Sequence, residues 1–196
     1  MQAVKQDPQT ARERIVETAS ELFYRQGIRA VGVDTIVAQS GVAKMTLYRH
    51  FPSKDDLVIE VLRRRDERWR EWLQDEVLAR TDDHRERLLA VFDALSDWFA
   101  SEEFRGSAFI NTRVEIPDPD HPANRAAAEH VAAVRRFLRR LAEEAAEPDA
   151  DALAAQLQMI MKGAIVMARE GDVQAGSRAR ALAEALLDAR RAARAG

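Results

Sequence analysis

The sequence contains no cysteine, which excludes a disulfide scaffold, a thiolate zinc site and a cysteine nucleophile. Long apolar runs are missing as well. The segment 164–168 is closed off by Lys162 and Arg169, far short of the ~20 residues that span a bilayer. The amino end is polar, with Gln2, Lys5, Gln6 and Asp7, and no secretory signal is expected there. Neither sign of charge dominates: thirty Lys and Arg stand against thirty-three Asp and Glu, a net −3. A basic field over the whole chain is therefore not available to hold a nucleic acid. Local charge is different, because residues 1–54 carry eight basic and five acidic side chains, a balance of +3.

Proline is sparse, and its positions (8, 52, 117, 119, 122 and 148) avoid every helical apolar period. Between them run stretches rich in Ala, Leu, Glu and Arg, all good helix formers, and no segment alternates long enough to make a strand. The expected fold is all-α, about nine helices, with a domain of short helices at 1–53 and a larger helical domain at 54–196. Thr10 and Glu13 have the spacing of a capping box for a first helix that Gly27 ends. A short second helix runs from about Val33 to Gln39 and a third from Ala43 to His50, with Gly41 in the turn between them. Ser53 caps a fourth helix that carries Asp55 and Asp56 in its first turn and continues to about Ala79. Later helices are marked by Leu88, Phe92, Leu95 and Phe99, and by Val131, Val134, Leu138 and Leu141. Two more follow Pro148 and Gly176, while 116–123 reads as a loop.

Two short helices joined through a glycine turn form a helix-turn-helix pattern. Ile36, Val37, Val42 and Leu47 supply an apolar lock. Lys44, Met45, Thr46, Tyr48, Arg49 and His50 supply the exposed chemistry a major groove requires. Leu47 and Phe51 are assigned to the core. The bland alternative makes Tyr48 a core ring and Lys44, Arg49 and Lys54 a solvated basic edge; the order of features favours DNA.

The stretch 17–57, ETASELFYRQGIRAVGVDTIVAQSGVAKMTLYRHFPSKDDL, resembles the DNA-binding region of the TetR/AcrR family of bacterial transcriptional regulators. The resemblance rests on A-x-x-L-F, Gly27, V-D-x-I, G-V-x-K-x-T-L-Y-x-H-F and S-K-x-x-L, in that order. It implies that the third helix enters the major groove of a double-stranded operator. Lys44 would meet a phosphate or base edge, Thr46 and Tyr48 a phosphate or thymine methyl, and Arg49 and His50 the backbone or neighbouring bases. Lys54 would clamp a phosphate, and Met45 would offer apolar or shape readout. Gly32 and Ala43 stand where the family often has hydroxyl caps. The family also implies a homodimer through its last two helices and an unidentified small-molecule effector that loosens DNA binding.

The apolar stripe of Leu153, Leu157, Ile160, Met161, Gly163 and Ala164, with Leu182 and Leu186, is the expected dimer face. Gly163 inside a helix calls for a close approach by another helix. An effector pocket is expected from Trp69, Trp72, Phe92, Trp98, Phe99, Phe104, Phe109 and Phe137, with polar Asn111, Arg113, Glu115 and His121. Plain core filling is the rival reading for each ring. Glu115, Asp118, Asp120, His121, Glu129 and His130 lack the spacing of a helical metal site, and no phosphate loop or nucleophile elbow is present. The expectation is a regulator, most simply a repressor, not an enzyme, with no cofactor or metal and no membrane partner, working in the bacterial cytoplasm at the nucleoid. An effector-blind architectural DNA-binding protein and a helical metal-dependent enzyme are the alternatives.

Overall fold

In a computed structural model that describes residues 10–195, the chain forms helices without strands among those residues. The polar residues Gln2, Lys5, Gln6 and Asp7 lie outside the described part. The helices are α1 (Ala11–Gln26), α2 (Val33–Ser40), α3 (Lys44–His50), α4 (Lys54–Arg80), α5 (His84–Ala100), α6 (Ala108–Glu115), α7 (Pro122–Glu144), α8 (Ala150–Arg169) and α9 (Ala175–Ala195). They sort into two compact units. The first runs to Asp66 and takes in Ala108–Ala128; the second holds Glu67–Ser107 and continues from Glu129. The first unit therefore reaches beyond residue 53, into α4, and recruits α6 from later in the chain.

In the first unit, local signals set the ends of the helices. Thr10 Oγ1 accepts the Glu13 N–H at 3.2 Å while Glu13 Oε2 accepts the Thr10 N–H at 2.8 Å, a complete capping box. Ser53 and Asp56 repeat the arrangement at α4, with the Ser53 hydroxyl donating to Asp56 at 2.6 Å. Gly41 closes α2 in the left-handed region at φ 64°, a conformation that costs a side-chain-bearing residue steric energy. Ile15, Ala19, Leu22 and Phe23 of α1 bury one stripe against Ile36 of α2, Leu47 of α3 and Phe51. Leu57, Val58, Val61 and Leu62 of α4 join the same core, as do Phe109 of α6 and Ala123 and Ala127 of α7. Each fully buried Leu or Ile contributes about 1.5–3 kcal/mol of transfer free energy.

The short α6 follows Gly106 and precedes prolines 117 and 119, within a stretch whose sequence reading placed no helix. Likewise α7 opens at Pro122, where a missing N–H costs nothing because the first turn has no internal acceptor for it. Buried Asn124 then ties the loop down, donating to the Ile116 and Asp118 carbonyls at 2.8 and 2.6 Å.

The second unit packs α5 against α8 and α9. Gly176 of α9 makes the α5 contact possible, since a Cβ there would lie 1.9 Å from Ser96 Oγ and 2.8 Å from its Cα. Here the expected dimer face needs correction. Leu153, Leu157, Met161 and Ala164 are buried within the protomer and serve its own core. Ile160 and Leu186 are half-buried. A helix packed between neighbours carries apolar residues on more than one face, so periodicity alone merged these inner residues with Gly163 and Leu182, which face outward. The outer stripe is Met159, Gly163, Val166 and Met167 on α8, joined by Leu182 on α9, with Leu182 61% exposed. A Cβ added at Gly163 would meet nothing within 4 Å, so among the described residues no helix makes the close approach. Among the described residues no helix is long and apolar enough to cross a membrane.

Candidate nucleic-acid interface

α3 is seven residues long, and its orientation follows from which side chains are buried. Leu47 is wholly buried and Phe51 nearly so, which turns the opposite face outward. On that outer face Met45 is 81% exposed and Tyr48 40% exposed, with Lys44, Arg49 and Thr46 beside them, Thr46 half-buried. An exposed Met of that degree at the start of a helix contributes little to folding. Tyr48 is thus no core ring. His50 is half-buried and packs against Phe51 with ring centroids 6.4 Å apart. Neither Gly32 nor Ala43 makes a side-chain cap, so the departures noted in the sequence leave the starts of α2 and α3 without a hydroxyl acceptor.

The cations of this face differ in what they touch. Lys44 Nζ lies 2.7 Å from Asp34 Oδ1 in the first turn of α2, and that hydrogen bond and charge raise its pKa. Arg49 is exposed. Lys54 turns inward: its Nζ donates to the Ile28 carbonyl at 2.6 Å and sits 5.9 Å from the Phe23 ring. Burial lowers its pKa against the opposing pull of Asp55 and Glu115. The Arg29 N–H in the same α1–α2 corner donates to Glu115 Oε2 at 3.0 Å. Lys54 from α4 and Glu115 from α6 therefore brace one backbone corner behind α2. His121 joins them, its Nε2 lying 3.4 Å from Asp55 at the start of α4. Lys54, for which the resemblance implied a phosphate, and Glu115 and His121, expected at an effector, thus meet partners inside this unit.

The expected pocket residues divide between the two units. Phe109, Asn111, Arg113, Glu115 and His121 belong to the first; Phe109 is core, and Arg113 is exposed on α6. Trp69, Phe92, Trp98, Phe99 and Phe137 belong to the second. Phe92 is wholly buried in the core. Trp69, Trp72 and Trp98 pack together with centroids 5.8–6.3 Å apart, extended by His130, Phe99 and Phe104. His130, 5.3 Å from Trp69 between ring centroids, is the member of this cluster that the sequence did not suggest. Beside the cluster a groove of about 310 Å³ runs between α4 and α7, lined by Trp69, Leu73, Gln74, Phe137, Arg136 and Arg140. Among the described residues no group of His, Asp and Glu is arranged to hold a metal ion.

A helix-turn-helix whose second helix shows polar, basic and thioether groups to solvent is the reading head of a DNA-binding transcriptional regulator. Comparison with known proteins agrees. A model described as bacterial regulatory proteins, tetR family, matches residues 15–61, and one described as tetracyclin repressor-like, C-terminal domain, matches residues 85–183. The solved structure of SCO4454, a TetR-family transcriptional regulator from Streptomyces coelicolor, superposes with a TM-score of 0.84 at 32% identity, covering 91% of this chain and 94% of that one. The HTH-type transcriptional regulator YjdC of Escherichia coli (strain K12) is 25% identical over 154 residues, 79% of this chain and 81% of that protein. The HTH-type transcriptional activator FasR of Mycolicibacterium smegmatis is 33% identical over 108 residues, 55% of this chain and 48% of that protein. This chain belongs to the TetR family of transcriptional regulators.

Proposed function

We propose that the chain represses transcription as a two-fold homodimer on a palindromic operator and lets go when a small organic effector occupies the second unit. The observation that carries this reading is the outward face of α3, with Met45, Tyr48 and Arg49 presented over a buried Leu47. Lys44, Thr46 and His50 complete the reading set, and Lys54 acts by bracing the α1–α2 corner. Support for the dimer comes from the outer stripe of Met159, Val166, Met167 and Leu182, uncovered within the protomer, with Gly163 open for a partner helix. A pair of α3 helices about 34–36 Å apart would meet successive major grooves of one duplex face. Such a regulator works in the cytoplasm, at the nucleoid when bound.

Effector control is supported by the cluster of tryptophans and the groove beside it, which combines ring faces with Arg136, Arg140 and Gln74. A coupling of about 1–3 kcal/mol would change operator affinity about 5–150-fold. The test begins with genome-wide mapping of bound DNA and footprinting of the strongest site. Tyr48→Ala and Arg49→Ala should each weaken binding to that site with melting temperatures unchanged. Wild-type affinity in both would refute the reading. Equal affinity for the mapped site and random duplex would instead make the protein an architectural binder, and a promoter that falls silent on deletion would make it an activator.

A further inference from the structure

Lys44 occupies the first position of α3, where an ammonium can reach either the phosphate backbone or a base edge. In this protein a carboxylate already stands against it, Asp34 Oδ1 at 2.7 Å from Nζ, with Asp34 82% and Lys44 54% exposed. Exposed pairs of this kind contribute little to folding. The helices they join are held by Ile36, Val42 and Leu47 in any case. Arg49, the other strong cation of the reading face, has no such carboxylate among the described residues. The pairing is therefore specific to Lys44, and its consequences fall on DNA.

We propose that Asp34 is a specificity-setting positioning residue, holding the Lys44 ammonium as a hydrogen-bond donor to base edges and denying it to phosphate. An ammonium has three protons. One is engaged by Asp34, leaving two for neutral acceptors such as guanine O6 and N7 or thymine O4. A phosphate brought to the same ammonium is also brought against the Asp34 carboxylate, and the repulsion offsets the gain. Base-edge acceptors carry no net charge and escape that penalty. Affinity for arbitrary sequence comes from phosphates neutralised and counterions released. Asp34 thus removes one cation per subunit from that pool while leaving its donors available for reading. The inference rests on α3 being the reading helix.

The experiment compares wild type with Asp34→Asn and Asp34→Ser, which remove the charge and keep a short polar side chain, and with Asp34→Glu, which keeps the charge. Binding to the footprinted operator and to a random duplex of equal length is followed by fluorescence anisotropy over roughly 50 to 300 mM salt. Both uncharged variants should bind random duplex several-fold more tightly. Their salt slope should steepen by about 0.9 for each phosphate gained, hence by about two in a dimer. The preference for operator should fall about tenfold, and Asp34→Glu should restore it. In a Lys44→Met background, Asp34→Asn should have no further effect on slope or preference.

An unchanged slope and preference in both uncharged variants would overturn the proposal. So would an Asp34→Asn effect that survives in Lys44→Met, because the carboxylate would then be acting as a bare repelling charge. Tyr48→Ala and Arg49→Ala, run beside them, separate the two failures. If they too leave operator binding untouched, α3 is not the reader; if they weaken it while Asp34 is silent, only the present inference falls.

Discussion

Glu60 joins α1 to α4 inside the first unit, and its removal is the most direct test of how the reading head is held. Its carboxylate lies 2.9 Å from Arg12 of α1, 3.0 Å from Arg63 and 2.9 Å from Arg64, while its side chain is only 12% exposed. The hydrogen bond from Arg63, with those from Arg64 and Arg12, outweighs burial and holds the carboxyl at about 2, below its ordinary 4.5. A depressed folded-state pKa means the charged form stabilises the fold. The contribution is complete above the unfolded pKa near 4.5 and is lost as the pH falls toward 2. The difference sets a ceiling of about 3 kcal/mol, which the solvent around half-exposed Arg12 and Arg63 screens to about 1–2 kcal/mol. Glu60→Gln keeps the shape and removes the charge. At pH 7 it should melt about 2–8 °C below wild type by circular dichroism. The gap should shrink to about half or less by pH 3, because protonation removes the same interaction from wild type. Glu13, whose pKa the Thr10 hydrogen bonds also lower, is common to both proteins and cancels in the difference. A gap that stays constant from pH 7 to 3, or coincident melts at pH 7, would refute the reasoning.

Leu47→Ala should cost about 2–5 kcal/mol in a denaturant titration, abolishing operator binding by unfolding the head where Tyr48→Ala leaves the melt intact. Gly176→Ala should destabilise the α5–α9 contact by about 1–3 kcal/mol, since the added Cβ meets backbone at Ser96 and not just a movable hydroxyl. Leu182→Arg should yield folded monomers in sedimentation velocity, and an intact dimer would show that the outer stripe is not the subunit contact. Lys54→Met should lower the melting temperature and leave the salt slope of DNA binding unchanged; a slope reduced by about one would return Lys54 to the phosphate backbone. All three tryptophans sit in one cluster, so an effector bound in the adjoining groove should change intrinsic fluorescence, and Phe137→Ala should weaken that response.

Local chemistry was the legible part. Capping at Thr10 and Ser53, the glycine stop at Gly41 and the burial of Leu47 and Phe51 depend on residues within a few positions of one another. α6 escaped because eight residues between a glycine and a proline-rich loop offer too short a period to stand out. The first turns of α7 escaped because Ala126, Ala127 and Ala128 mark no apolar face. Side chains able to serve two partners were the hardest to place. Lys54 and Glu115 carry charge suited to phosphate or ligand, yet they meet Ile28 and Arg29 across the fold. Asp34 stands in the V-D-x-I match, yet nothing in its spacing announces Lys44.

The order of residues settles that this chain is helical, where the short helices α2 and α3 begin and end, and which family it joins, because capping, turns and apolar spacing act over one or two helical turns. Which apolar stripe of α8 faces outward, which carbonyl or carboxylate each lysine meets and which aromatic rings gather around Trp69 are decided by packing between distant segments. Burial and charge pairing depend on the neighbour a side chain finds in space, and that neighbour is chosen when the helices assemble.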